Sequence, residues 1–199
     1  MEEKCGAELE LKNSSFSIIC NNCLGGFICQ HYNIEYRTPT LGLFIFAQDY
    51  VKFLAHIKFY LSQKLEFIKP EQSMYYDEFK KAQLTIKFPM ARLHDIEVFF
   101  MHYKDEEEAA SKWYRRINKI NWNDLIVILA ENETCTYETL KKFDSLPFKN
   151  KVCFTKEEHK EISSSCCIEE MREPGSLWSA ETVMKHFDLT SFINNRVQS

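Results

Sequence analysis

The apolar run FSIIC at residues 16–20 leads straight into Asn21-Asn22-Cys23-Leu24-Gly25-Gly26. Paired glycines let a backbone approach a ligand closely, and amides exposed there would hold a phosphate or a carboxylate. Asn21 and Asn22 add directional donors and acceptors that suit sugar hydroxyls. The pattern is neither a P-loop nor a dinucleotide fingerprint. The same residues also suit a plain strand-to-helix turn, in which the asparagines bond local backbone and Gly25 and Gly26 permit tight packing. Cys23 adds a thiol, read either as a candidate nucleophile or as a packed side chain.

His102 is the acid–base candidate, because it closes an apolar stretch and an imidazole ordinarily titrates near neutrality. A satisfied core histidine is the competing reading. Glu97 precedes it by five positions, so on an unbroken strand the two would point to opposite faces and form no dyad. Tyr103, Asn132 and Thr155 stand at or just beyond the ends of apolar runs and join the set as ligand-binding candidates. Cys20 and Cys23 have redox spacing, yet Gly25 and Gly26 fall where an active-site helix of that kind would start. A zinc site would need a second ligand pair, and Cys166-Cys167, His31 and His159 supply no recognised spacing. No metal and no cofactor are therefore expected.

The elements that must position these residues alternate in type. Apolar runs at 16–20, 96–103, 125–130 and 151–154 read as strands, with short or weaker ones at 43–46 and 84–88. Helical spacing begins at Asp49 and runs through Tyr50, Phe53, Leu54, Ile57 and Leu61. Asp105 and Glu108 form a capping-box-like start for a helix with Ala109, Trp113, Ile117 and Ile120 on one stripe. Thr136 would cap another helix, residues 27–32 are a shorter candidate, and a last helix covers about 179–187, extending toward 195. Residues 163–167 and 172–175 read as surface loops. The expected fold is a single α/β domain over residues 1–199, a layered α/β/α arrangement with a mainly parallel or mixed sheet, Rossmann-like. In such sheets ligands bind beyond the carboxyl ends of the strands. If the four strong strands run parallel, Asn21–Gly26, His102, Tyr103, Asn132 and Thr155 gather on one rim.

Several blocks in one order also match a known family: residues 16–26, 38–44 and 49–54, then Asp95-Ile96-Glu97, His102-Tyr103-Lys104, Trp113, Arg115-Arg116, Ile120-Asn121-Trp122 and 148–152. Over roughly residues 14–156 the chain resembles the bacterial family of unknown function DUF1919, which leaves 157–199 as a C-terminal extension. Such proteins are often labelled exopolysaccharide or capsule biosynthesis proteins. The resemblance implies an α/β domain and carries no catalytic assignment. The family pattern has a small polar residue at position 20 and an aromatic at 24, where this chain has Cys20 and Leu24.

Composition bounds the partners. Of 199 residues, 25 are Lys or Arg and 29 are Asp or Glu, giving a net charge of −4, and no basic stripe stands out. That argues against nucleic acid as a partner. The acidic start at residues 1–5 has no apolar segment behind it, so a cytoplasmic protein with eight free thiols is expected. The reading is a surface-polysaccharide protein, a transferase acting on a sugar nucleotide or lipid-linked sugar. The loop at 21–26 would hold phosphate or sugar hydroxyls, His102 would be the general base, and membrane-associated polysaccharide machinery would be a partner. The alternatives are a non-catalytic scaffold of the same pathway and a thiol-dependent enzyme.

Overall fold

The computed structural model describes residues 10–173 and 178–198. The acidic start at 1–5, with Cys5, and the turn at 174–175 lie outside the described residues. Strands β1 (Ser17–Cys20), β5 (Leu125–Ala130), β6 (Lys151–Thr155) and β7 (Ser165–Cys167) form one parallel sheet in the order β1-β5-β6-β7. Successive residues on these strands point to opposite faces, and each face is apolar. Ile19, Val127, Leu129 and Cys153 belong to one core cluster, while Ile18, Cys20, Ile126, Ile128, Val152 and Phe154 belong to another.

Helices cover both faces. The first cluster takes in residues of α2 (Ala47–Ala55), α3 (Ile57–Ser62), α5 (Glu106–Ile117) and α6 (Tyr137–Asp144), among them Tyr50, Tyr60, Trp113 and Phe143. The second takes in α1 (Leu24–His31), α7 (Ala180–Met184) and α8 (Leu189–Asn194). The layered α/β/α reading therefore holds. At the foot of the sheet Arg196 pairs in bidentate fashion with Asp124, at 2.7 and 2.9 Å, and lies over the Phe16 ring.

One of the four strong strands is misassigned by the sequence reading. Residues 96–103 do not join the parallel sheet. Only β4 (Ile96–Phe99) is extended, and it pairs antiparallel with β3 (Met90–Leu93), which pairs with β2 (Glu66–Ile68); α4 (Tyr76–Lys81) packs on this small sheet through Phe79. A hairpin turn at His94-Asp95, with His94 at φ 61°, reverses the chain between β3 and β4. Local alternation cannot tell a parallel strand from a hairpin arm, because both bury one or both faces with period two. The 84–88 run is not a strand; Leu84 is 49% exposed. Residues 163–167 supply the edge strand β7 where a loop is expected. The last helix is two: α7 ends at Met184, and Asp188 caps α8 by accepting from Ser191 N.

Asp49, near the start of α2, joins the two sheets. Its Oδ2 accepts from the Glu97 backbone N–H of β4 at 2.9 Å. The extended stretch at 44–45 makes a second join: Phe44 and Phe99 exchange backbone hydrogen bonds, and Ile45 N donates to Asn21 O. These ties hold the end of β4, and the turn after it, against the end of β1.

Candidate functional site

Four pieces of chain surround a cleft of about 270 Å³. The start of α1 brings Cys23, Gly26, Phe27 and Gln30, and the loop after it brings Tyr36, Leu41 and Gly42. The turn after β4 brings His102 and Tyr103, and α5 brings Lys112 and Arg116. The spacing of the last two explains their joint arrival, since positions four apart share one face of a helix. Beside them on the same side of α5, Ala109 and Trp113 are buried against the core, which fixes the rotation of that helix and leaves Lys112 and Arg116 at the edge of the packed face.

Tyr103 organises the cleft. Its hydroxyl donates to Leu41 O and accepts from Arg116 Nη1 at 2.6 Å. Burial raises the Tyr103 pKa, with the Arg116 charge opposing, so the phenol stays protonated and serves as a donor. Lys112 lies over the Tyr103 ring and pairs with Glu108 at 2.6 Å. Gly42 sits at φ +68°, a left-handed conformation that only glycine adopts freely. His102 N donates to Gly42 O at 3.1 Å, leaving the imidazole exposed at the cleft. The site therefore combines two cations, a phenol and an imidazole with the apolar surfaces of Phe27, Tyr36 and Leu41. Such a site suits an anionic ligand with a flat or sugar-like body.

The loop at 21–26 is largely not a loop. Leu24, Gly25 and Gly26 form the first turn of α1, and the polar residues before it bind backbone. Asn21 is fully buried; its Nδ2 donates to Ala130 O at 2.9 Å and its Oδ1 accepts from Ala130 N at 2.8 Å. The side-chain amide thus extends the β1–β5 ladder by one step and is not available to a ligand. Asn22 Oδ1 accepts from Leu24 N at 3.0 Å and from the Cys20 thiol, capping the helix start. A methyl group on Gly25 would meet Cys20 Cβ at 2.9 Å, so this glycine lets α1 lie on β1. At Gly26 it would meet Leu41 Cδ1 at 2.7 Å, at the wall of the cleft.

The rest of the sequence-derived set divides. Cys23, Gly26, His102 and Tyr103 meet in the cleft, whereas Asn132 and Thr155 do not line it. The Asn132 side-chain oxygen accepts from Thr134, and its Nδ2 has no partner among the described residues. Thr155 Oγ1 donates to Glu157 O. The physical reason for the split is the hairpin: β4 leaves the parallel sheet, and the turn after it is tied to Gly42 beside the start of α1, so the rim of four parallel strand ends does not form. Burial pushes the Cys20 thiol up to about 12 and also raises that of Cys23, the opposite of what an activated nucleophile or redox pair requires. Lys112 and Arg116 escaped the sequence reading, although their spacing on a strongly amphipathic helix was a usable signal.

Among the described residues no group of three or more His, Cys, Asp or Glu is placed to hold a metal ion. No helix among them is long and apolar enough to cross a membrane.

The chain is 29% identical over 194 residues to an uncharacterized protein of Haemophilus influenzae (strain ATCC 51907 / DSM 11121 / KW20 / Rd), across 94% of this chain and 87% of that protein. A family model described as "Domain of unknown function (DUF1919)" matches residues 2–194, reaching past both ends of the 14–156 stretch and taking in most of the C-terminal residues. The fold around the cleft and the C-terminal helices that back its sheet are thus parts of one family unit, and the chain belongs to the DUF1919 family.

Proposed function

We propose that the protein is a cytoplasmic transferase of surface-polysaccharide biosynthesis that takes a phosphate-linked sugar, either a sugar nucleotide or a lipid-linked sugar. The observation that carries this reading is the convergence of Lys112 and Arg116 of α5 with His102 and Tyr103 of the turn before it on one cleft. Lys112 and Arg116 hold the phosphate, with Arg116 suited to two-point contact. Phe27 and Tyr36 offer apolar faces to the sugar or base. His102 takes the proton of an acceptor hydroxyl as the new carbon–oxygen bond forms. The bond from the sugar to phosphate breaks, and the charge left on the phosphate is met by the two cations. The label that members of this family often carry adds the pathway.

The test is thermal unfolding with UDP-glucose and UDP-N-acetylglucosamine. A ligand at a hundred times its Kd adds about 2.7 kcal/mol of stability, enough for a clear rise in Tm. The rise is expected to vanish in Arg116→Met and to persist in His102→Ala, which loses sugar transfer and not binding. No shift with either nucleotide sugar at millimolar concentration refutes the sugar-nucleotide form of the reading, and a shift indifferent to Arg116→Met refutes the site. A protein that binds and never transfers is instead a non-catalytic partner of the same machinery.

A further inference from the structure

A second cavity, of about 480 Å³, is lined by chain positions next to those of the cleft and differs from it in kind. Phe44, Phe46, Phe79, Leu84 and Met101 line it, and its size falls within the range of small-ligand sites. Its aromatic wall is braced by edge-to-face contacts of Phe46 and Phe79 with Phe99. The charges at its rim are matched: Lys81 pairs with Glu78 at 2.7 Å, and Glu133 pairs with Lys156 at 3.3 Å. A groove with a self-neutralised rim gives no charged handle to a peptide and favours uncharged hydrocarbon.

The cleft and the groove share a wall. Met101 lines the groove and His102 the cleft; Phe44 lines the groove and Gly42 the cleft. Between Gly42 and Phe44 lies only Leu43, wholly buried in the core. Two residues of extended chain span roughly 7 Å, a distance that a phosphate and its first few methylenes cover.

We infer that this groove holds the hydrocarbon chain of a monomeric long-chain phosphate ester whose phosphate lies in the cleft between Lys112 and Arg116. The inference rests on the proposed function for the head of the ligand and adds the tail. It selects the lipid-linked over the soluble phosphate for one of the substrates.

The experiment is calorimetric titration of the full chain with butyl, hexyl, octyl and decyl phosphate, each below its micelle concentration. Burial of one methylene strengthens binding roughly fourfold, so affinity should climb steeply along the series until the groove is filled. Leu84→Glu and Met101→Glu, at positions at least partly exposed, should flatten that climb and leave UDP-glucose binding unchanged. Leu84→Gln is the milder variant should either glutamate lower the melting temperature. A series that is flat from butyl to decyl, or steep but indifferent to all three variants, overturns the groove assignment. Binding of UDP-glucose together with a flat series removes the tail and keeps the proposed function. A steep, variant-sensitive series without UDP-glucose binding keeps the tail and removes the sugar-nucleotide form of the proposed function.

Discussion

Asp49 should make the protein more stable in mild acid than its other carboxylates would suggest. The side chain is only 4% exposed. It accepts from Glu97 N and from the Tyr75 hydroxyl, with the buried Glu97 carboxylate nearby and Lys52 opposing. Burial dominates and lifts its pKa from 3.8 to about 6. The folded protein then holds this proton more tightly than the unfolded chain does. The contribution is fully present below the unfolded pKa and is lost as pH rises through about 6. A shift of about two units corresponds to about 3 kcal/mol. Asp49→Asn removes the titration. Any offset from the altered bond to Tyr75 is independent of pH, so the informative quantity is how the stability gap between variant and wild type changes. Urea unfolding at pH 4, 5, 6 and 7.5 should show the gap moving in favour of the variant by about 2 kcal/mol across that window, most of the full effect. A gap that stays constant, or that moves the other way, refutes the account of Asp49 as a buried, proton-holding joint between α2 and β4.

The glycines and the buried polar groups give four further tests. Gly25→Ala forces a methyl against Cys20 Cβ and Ile18 and should cost about 1–3 kcal/mol in a denaturant melt, despite alanine's higher helix propensity. Gly26→Ala meets only the movable tip of Leu41, so stability should hold within about 1 kcal/mol while UDP-glucose binding weakens as Leu41 is pushed toward the cleft. Equal losses of stability in the two variants would contradict the packing described. Asn21→Ala leaves the Ala130 N–H and C=O unpaired in the core, worth about 2–6 kcal/mol by denaturant midpoint. Arg196→Met leaves the Asp124 charge buried, where loss of one partner costs about 3–5 kcal/mol; a change under 1 kcal/mol would show that the pair is solvated.

Much of the architecture was legible in the chain. The runs at β1, β5 and β6 are short and nearly all apolar, as strands covered on both faces must be, and the helix stripes of α2, α5 and α6 follow a period that only one conformation satisfies. Asp105 and Thr136 start their helices as read, through bonds to Glu108 N and Thr139 N. The β2–β3–β4 meander was not legible: β2 is three residues long, and the partner of β4 is set by a two-residue turn at His94-Asp95 that carries no glycine.

The candidate site shows the same division. Residue types and local spacing determined that Cys23, Gly26, His102 and Tyr103 stand at the ends of their elements, because hydrophobic period and chain punctuation are local properties. Tertiary structure alone decided that Asn21 belongs to the sheet rather than to a ligand, and that Asn132 and Thr155 do not join His102. Those outcomes depend on which strand lies beside which. That choice is made by burying the two apolar faces of the sheet and pairing the backbone at the end of β1, a sum over contacts far apart in the chain that no short window contains.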